Sequence, residues 1–515
     1  MDDGSLRQVQ ETVRHRGPGL LQAFQAEFNR TFPVVQDAVF LNPFGAETDP
    51  GLLAAIYALA GSSSTYDAQL SLADIERLEE IAFRAFGNAM SKPTLSAIQI
   101  GVLLMQRPNV DSKALNAQLV GMAYEIGLHL DCSSWSLTIE ERVLRKRLGW
   151  ALYMQDKWCS LIHGRPSSIS KDHWAVPPLD EDEYSIEPAD DATMQEVKRG
   201  RELFKQMATL TAILSMVLDT FYTLRSMQEV DDAGPNGTRL ILERAKPVQI
   251  KLKEWFTQLP RNLKMDENTA GKPSSTGHLH LAYFATEITL HRCIIRSLTS
   301  NNNDTYLSHV CRSAAKTRLI SAMDFVNRLR PEHLTSFWYF PSKINFALIG
   351  TFGSLLLATA PCQEEADFYQ TRLFEYRWTL TVSAKNAPFL QFAVDSLDSS
   401  STLLQGLPQK PSTSELSALQ PQRQLLADNR FSPPQDEDMD DGPPPPMLLG
   451  HHLEPFDNQN GGSVGGGGLM PSEGTVSGLI SPSTSTSSGE ASYEAYVGTS
   501  FAQSRGISIG GGWSL

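Results

Sequence analysis

The sequence predicts an all-α protein, a multi-helix array wrapped around a central core and followed by a disordered tail. Helical periodicity recurs over most of the 515 residues, whereas the alternation typical of strands is rare. After residue 400 the composition changes, because proline, glycine and serine replace the apolar residues that a core needs. Three parts follow: a flexible N-terminus over 1–19, an all-α domain over 20–400 and a disordered acidic tail over 401–515.

Apolar residues three or four positions apart predict the main helices of the domain. These helices are Ala73–Phe86, Val197–Met227, Thr238–Leu259, His278–Leu298, Tyr306–Leu329 and Phe368–Val382. Polar breaks predict the loops between them, at Asp231–Gly237, Asn262–Gly277 and Thr299–Thr305. The uncharged stretch Ile344–Ala360 holds several polar residues and glycines, so a buried helix is favoured over a membrane span.

Charge and cysteine content exclude several classes of protein. The net charge of −14 gives no basic surface for nucleic acid, and the N-terminus lacks the apolar core of a signal peptide. No membrane partner is therefore expected. The cysteines are predicted to be free, mostly buried thiols, because Cys132, Cys159, Cys293, Cys311 and Cys362 form no Cys-x-x-Cys unit. Five scattered cysteines cannot build a six-cysteine zinc cluster, so no cofactor is expected in this chain.

The segment from 115 to 178 is the most distinctive part of the sequence. Asp111 can cap a helix, and Gly127 can end it in a left-handed conformation. The apolar face of that helix is Leu115, Leu119, Met122, Ala123 and Ile126. Thr138 and Glu141 then match a capping box, which predicts the start of a second helix.

The second helix carries a basic cluster at its start and a tight loop at its end. Leu144, Leu148, Leu152 and Cys159 share one side, and the cluster consists of Arg142, Arg145, Lys146 and Arg147. Because the macrodipole disfavours cations there, we expect an internal salt-bridge network rather than an import signal or a nucleic-acid surface. In the closing Gly164-Arg165-Pro166 loop, Pro166 keeps Arg165 out of helical geometry. Arg165 is predicted to form a bidentate ion pair with Asp156 or Asp172.

Together these residues resemble the middle homology region of the fungal zinc-cluster transcription factors. The matching residues, in the family's order and spacing, are Gly127, Leu128, His129, Asp131, Arg145, Lys146, Arg147, Leu148, Trp150, Tyr153, Asp156, Gly164, Arg165 and Pro166. Gly149-Trp150 stands where the family usually has two bulky aromatics. The likeness covers residues 20–400, with further signals at Phe28–Phe40 and Pro93–Gln99. Tyr153–Trp158 and His163–Pro166 are most similar to the nitrogen-catabolism co-activators.

The resemblance implies a nuclear regulator of RNA polymerase II genes, an activator or co-activator in nitrogen or other catabolic metabolism. Its implied partners are other transcription factors, the transcription machinery and a small-molecule inducer. DNA would be reached only through an upstream zinc cluster that is absent from this chain, or through a partner protein. Zinc is expected only with that cluster. Whether the sequence is a truncated gene model or a natural co-activator stays open, as does the direction of regulation.

The tail holds the candidate activation segment. Residues 401–515 carry 12 acidic and 4 basic residues. The segment sets acidic beside apolar side chains, at Phe431, Asp436, Glu437, Asp438, Asp440, Asp441, Met447, Leu448 and Leu449. Acidic charge keeps such apolar residues solvated and available to a partner's groove. A solvating tail without a specific partner is the alternative.

Two other functions remain open, a helical metal-dependent enzyme and a protein-interaction scaffold without a transcriptional role. Asp190-Asp191 and Asp231-Asp232 are acidic pairs in loop-like stretches, but neither has a matched second motif for a magnesium ion. His129 and His163 lack Cys or His companions at ligand spacing, and the pair His451-His452 alone is a poor metal site. Without a phosphate loop or nucleophile elbow, the sequence predicts no catalytic residues and no enzyme.

Overall fold

The computed structural model describes residues 3–45, 48–61, 70–108, 110–179, 191–265, 273–298, 304–406 and 408–415. Over these residues the chain forms seventeen α-helices and no β-strand, so the all-α prediction is confirmed. The chain divides into two units, Met1–Thr413 and Ser414–Leu515, and the first unit contains all seventeen helices.

The N-terminal residues are part of the folded unit. The first helices are α1 (Asp3–Val13), α2 (Gly17–Phe24), α3 (Asp37–Leu41) and α4 (Pro50–Ala60). The prediction that 1–19 is flexible is wrong for its described residues. Val9 and Val13 lie on the same side of α1 and are buried where α1 packs on α4. Two buried apolar residues in a mostly polar segment were too weak a periodic signal to predict this helix.

The next four helices include the two helices of the distinctive segment, α7 and α8. They are α5 (Leu72–Asn88), α6 (Leu95–Leu104), α7 (Ser112–Glu125) and α8 (Ile139–His163). Side-chain oxygens cap their starts, as when Thr94 Oγ1 accepts from the Ala97 amide at 3.1 Å. Because α8 packs on α6, α7 and α9, the segment lies against the body of the unit.

The central helices follow the sequence prediction except at one point. They are α9 (Asp191–Phe221), α10 (Leu224–Asp232), α11 (Gly237–Gln258), α12 (Thr276–Ser297) and α13 (Thr305–Asn327). The single helix predicted over Val197–Met227 is two helices that meet at 50°. Thr223 causes the break, because its hydroxyl accepts from the Ser226 amide at 3.1 Å and starts a new helix. Asp231-Asp232 closes α10 and does not lie in a loop as predicted.

The C-terminal helices complete the unit. They are α14 (Pro331–Leu334), α15 (Ser342–Ala358), α16 (Gln363–Ala384) and α17 (Gln391–Leu404). The uncharged stretch at Ile344–Ala360 forms α15, in which Phe346, Ile349 and Phe352 are buried. In the described part of the chain no single helix is long and apolar enough to cross a membrane, although Thr193–Phe221 with Leu224–Asp232 meets both criteria as a bent pair.

The folded unit extends past the predicted boundary at residue 400. Residues 401–404 belong to α17, and residues 408–413 bind to the end of α15 and the start of α16. Lys410 Nζ donates to the carbonyls of Leu357, Ala358 and Ala360 at 3.1, 2.9 and 2.7 Å. A cation at the carboxyl end of a helix is stabilised by the exposed carbonyls. The predicted start of the tail is therefore 13 residues too early, since the unit ends at Thr413.

Helix α12 lies at the centre of the core. It packs on α9, α11, α13 and α15, and every residue from Thr276 to His291 is buried. Such a helix shows little periodicity in the sequence, because all its sides face other helices.

Candidate functional site

The distinctive segment forms one packed unit over 111–179, which begins with α7 as predicted. Asp111 Oδ1 accepts from the Lys113 amide at 3.0 Å. At the other end Gly127 has φ +68°, and a Cβ there would lie 2.9 Å from the Trp135 ring. The predicted cap and the predicted left-handed glycine are both confirmed.

The capping box at the start of α8 is only half formed. Thr138 Oγ1 accepts from the Glu141 amide at 3.2 Å, as predicted. The carboxylate of Glu141 instead accepts from Arg145 Nε at 3.1 Å.

Two arginines of the basic cluster bind backbone carbonyls of the preceding turn. Arg145 Nη1 donates to the Ile126 carbonyl at the end of α7, at 3.0 Å, and the guanidinium lies 5.3 Å from the centre of the Trp135 ring. Arg142 Nη1 donates to the Trp135 carbonyl at 3.3 Å. Arg147 is half-buried on the same helix. The cluster is internal, as predicted: Arg142 and Arg145 join α8 to the preceding turn, and Arg145 also pairs with Glu141.

His129 and Asp131 shape the turn between α7 and α8. The carbonyl of His129 accepts from the Ala175 amide at 2.8 Å, and its ring packs 4.8 Å from that of Tyr124. Burial lowers the pKa of His129. Asp131 Oδ1 accepts from the amide and hydroxyl of Ser133 at 2.9 and 2.6 Å, and these bonds lower its pKa. Both residues therefore hold the backbone of the turn.

Gly149 and Trp150 hold the chain that leaves the segment. Trp150 Nε1 donates to the Pro177 carbonyl at 2.8 Å. A Cβ on Gly149 would lie 2.9 Å from Val176 Cγ2 and 3.3 Å from the Leu128 carbonyl oxygen. The extended chain around Val176, which leads out of the segment, thus crosses α8 at Gly149. A bulky aromatic side chain would not fit at this position.

Asp156 is the centre of the segment, although it is only 1% exposed. Its Oδ1 accepts from Asn116 Nδ2 at 3.0 Å and from the Ser168 amide at 2.9 Å. Its Oδ2 accepts from the Ile169 amide at 3.1 Å and from the Ser167 hydroxyl. One carboxylate on α8 therefore binds both α7 and the loop after Pro166.

Lys157 lies beside Asp156 and is equally buried. Its Nζ is 3.9 Å from Asp156 Oδ2 and donates to Ser167 Oγ at 2.6 Å and to the Ile169 carbonyl. Burial lowers the pKa of Lys157, while Asp156 and Asp219 oppose that shift. We call Asn116, Asp156, Lys157, Ser167 and Ile169 the Asp156 cluster.

The prediction that Arg165 forks onto Asp156 or Asp172 is wrong. Arg165 is exposed, and its backbone makes the contacts: its amide donates to the Ser160 carbonyl at 3.2 Å and its carbonyl accepts from Ser160 Oγ at 2.6 Å. Among the residues that the structure describes, the carboxylate oxygens of Asp156 accept from Asn116 and from the amides and hydroxyl of the loop after Pro166. Gly164, with φ +60°, and Pro166 set the path of this loop.

His163 closes the carboxyl end of α8 onto α7. Its Nε2 lies 2.8 Å from Ser112 Oγ, and burial lowers its pKa to about 4. A histidine that stays neutral and binds a hydroxyl has a structural role.

No metal centre is formed within the described ranges, where no three His, Cys, Asp or Glu side chains come together. All five cysteines are free, and Cys132, Cys159 and Cys311 are buried. A cleft of about 320 Å³ lies between α5 and α7, lined by residues that include Phe83, Arg107 and Leu115. The candidate activation segment, Phe431 to Leu449, and His451-His452 lie outside the described residues.

The sequence identified Asp156 but missed Lys157, Asn116 and Ser167. The available signal was that Asp156-Lys157 interrupts the apolar side of a long helix next to Trp158. Adjacent charges within an apolar face imply a buried, paired site.

Comparison with known proteins identifies the segment's family. Residues 21–263, which include all of 111–179, match the family described as the fungal specific transcription factor domain. The chain carries this domain. The resemblance to the middle homology region of the fungal transcription factors is therefore confirmed.

Relatives of the fungal transcription factor domain extend the likeness along the chain. The chain is 34% identical over 436 residues to the transcriptional activator protein DAL81 of Saccharomyces cerevisiae, covering 76% of this chain and 44% of DAL81. It is 30% identical over 193 residues to the transcriptional activator protein acu-15 of Neurospora crassa, covering 35% of this chain and 19% of acu-15. The cutinase transcription factor 1 beta of Fusarium vanettenii is 25% identical over 202 residues, 34% of this chain and 23% of that protein.

The chain thus spans less than half the length of each of these three relatives. No solved structure matches it.

Proposed function

We propose that the chain is the regulatory part of an activator or co-activator of RNA polymerase II genes, acting in the nucleus on nitrogen or other catabolic metabolism. The observation that carries the proposal is the 34% identity to DAL81, a protein named as a transcriptional activator, over 76% of this chain.

In this proposal the 111–179 unit is an internal scaffold. Arg142 and Arg145 bind carbonyls of the same unit, and the Asp156 carboxylate binds the loop that follows α8. The net charge of −14 also opposes direct binding to DNA phosphates. DNA contact is assigned to a zinc cluster outside these residues or to a partner transcription factor, and zinc belongs only to such a cluster.

The acidic segment at Phe431–Leu449 is proposed to recruit the transcription machinery. Its acidic and apolar residues, among them Asp436, Met447 and Leu448, are of the types that bind apolar grooves of partner proteins. A small-molecule inducer would find room in the cleft between α5 and α7, whose volume of about 320 Å³ suits a small metabolite.

The test is a fusion of the full chain to an unrelated DNA-binding domain, placed upstream of a reporter gene in a fungal host. We expect reporter expression that changes with the nitrogen source, and nuclear fluorescence of a labelled chain. Replacing Phe431, Met447, Leu448 and Leu449 together with alanine should abolish expression at unchanged protein level.

A matched control replaces Phe44, Leu72, Leu224 and Leu403 with alanine, four exposed apolar residues of the helical unit. This variant should activate like the parent chain. No activation from any nitrogen source, with the fusion present in the nucleus, would contradict the proposed function.

A further inference from the structure

Helix α16 is apolar on two sides, only one of which is covered. Tyr369, Tyr376 and Leu380 on the inner side are buried. On the outer side Phe374 and Trp378 are 70% and 65% exposed, and Val382 is 48% exposed. Two aromatic side chains exposed to this extent, one turn apart on the same helix, are unusual unless another surface covers them.

Charges stand at both ends of this exposed stripe. Asp367, Phe374, Trp378 and Lys385 are separated by 7, 4 and 7 residues, and all four are exposed. Their total span of 18 residues corresponds to about five helical turns, so the four side chains lie along one line. Lys385 directly follows α16 and keeps helical backbone angles, so it continues that line. We call these four residues the α16 stripe.

The α16 stripe reads the same in both directions by chemical type: charge, aromatic, aromatic, charge. In an antiparallel pair of α16 helices with the two-fold axis at Tyr376, Phe374 of one copy lies opposite Trp378 of the second copy. Asp367 then lies opposite Lys385, and each contact occurs twice. A two-fold dimer requires a self-complementary surface of this kind.

We propose that the α16 stripe is the contact between two copies of this chain. Aromatic pairs at its centre supply burial, and the two Asp367–Lys385 pairs fix the antiparallel register. The same charges do not select an acidic segment as the occupant, because Asp367 and Glu375 offset Arg377 and Lys385 on this side of the helix. The partner that matches an acidic amino end and a basic carboxyl end is the same helix running the other way.

The dimer is expected to be weak. One pair of helix faces buries less than the ~1,600 Å² of a standard stable interface, so a dissociation constant on the order of 10 µM is expected. Sedimentation of the full 515-residue chain over a range of concentrations should show a reversible change from 56.9 kDa to twice that mass.

Two sets of variants test the proposal. Phe374→Asp with Trp378→Asp should leave a monomer at every concentration, whereas Leu224→Asp with Tyr306→Asp, which changes two exposed apolar residues on other helices, should dimerise like the parent. Asp367→Lys alone and Lys385→Asp alone should each raise the dissociation constant about tenfold. The double exchange, Asp367→Lys with Lys385→Asp, should restore it.

Circular dichroism and the unfolding midpoint of each variant verify that the helices remain folded, as expected for changes at exposed positions. A parent chain that stays monomeric at 100 µM, about ten times the expected dissociation constant, would overturn the proposal. So would a dimer that survives the double aspartate change, or a charge exchange that fails to restore association. None of these outcomes depends on reporter activation, so the dimer and the proposed function are tested independently.

Discussion

Asp156 and Lys157 are adjacent charges, both 1% exposed, that depend on one another. Asp156→Asn keeps the shape of the side chain but removes the charge. Lys157 then stays buried without its counter-ion, and one of the acceptor oxygens becomes an amide donor. We expect the free energy of unfolding to fall by about 3–5 kcal/mol, measured by urea denaturation at pH 7.

Asp172→Asn is the matched control, because this aspartate is exposed in the same segment. Its effect should stay within about 0.5 kcal/mol. Lys157→Met should cost less than Asp156→Asn, about 1–2 kcal/mol, because Asp156 keeps its donors from Asn116, Ser167 and the backbone. A greater loss for Lys157→Met would show that the lysine, and not the carboxylate, organises the cluster.

At the residue scale the sequence located the important carboxylate and assigned it the wrong donor. Chain spacing suggested that Arg165 would reach Asp156, but other donors occupy the Asp156 carboxylate. It could not show that backbone amides of Ser168 and Ile169 would reach the carboxylate first. Amides carry no side-chain signature, so a site built from them is invisible to residue patterns.

At the scale of elements, Gly149 determines how closely the chain around Val176 can pack on α8. Helix propensity alone would make Gly149→Ala stabilising by about 1 kcal/mol. The new Cβ would instead lie 2.9 Å from Val176 Cγ2, and a valine methyl has little freedom to move away. We expect a net loss of about 1 kcal/mol in thermal unfolding.

Val176→Ala in the same chain provides the check. It removes the methyl group that the new Cβ meets, so the double variant should be more stable than the sum of the two single effects. Additive effects would mean that the clash does not determine the spacing of helix and chain.

Helices with one apolar side were predicted nearly to their ends, as α5, α11 and α13 show. Helix α4 was not predicted. All but one residue of Pro50–Ala60 are buried, and a helix covered on every side has no periodic signal. The break before α10 was also missed, since Tyr222-Thr223 contains neither glycine nor proline. That break depends on one hydroxyl, whose cap is decided by packing rather than composition.

Residues 408–413 act as a strap across the end of α15 and the start of α16. Thr413 donates from its amide and hydroxyl to Glu364, and these bonds lower the pKa of Glu364 to about 2. A chain ending at 407 keeps α17 but loses this strap. We expect a lower unfolding temperature for it than for a chain ending at 413, by about 1–2 °C for a loss of about 1–2 kcal/mol in a unit of this size.

Lys410→Met in the full chain separates the strap from the effect of a new terminus. It removes the three bonds to the carbonyls at the end of α15 and should reproduce part of the loss. Equal unfolding temperatures for the chains ending at 407 and 413 would place the limit of the folded unit at α17 instead.

At the scale of the whole molecule, three buried histidines should make stability depend on pH. Burial lowers the pKa of His163, His278 and His291 to about 4, from an ordinary value near 6.5. Between these values the unfolded chain binds protons that the folded chain does not. Their contribution to stability is therefore complete above about pH 6.5 and is lost as the pH falls towards 4.

His291→Leu isolates one of these protons. Its Nδ1 is buried without a hydrogen-bond partner, so leucine should be tolerated at pH 7. Between pH 5 and 6 the slope of unfolding free energy against pH should decrease by about 1.4 kcal/mol per pH unit relative to the parent. His309→Leu, which replaces an exposed imidazole on α13, leaves the three buried ones in place and should retain the parent slope. If His291→Leu retained it as well, His291 would take up its proton in the folded chain. The acid sensitivity would then have to arise from other groups whose pKa is lowered, such as His163, His278 and His129.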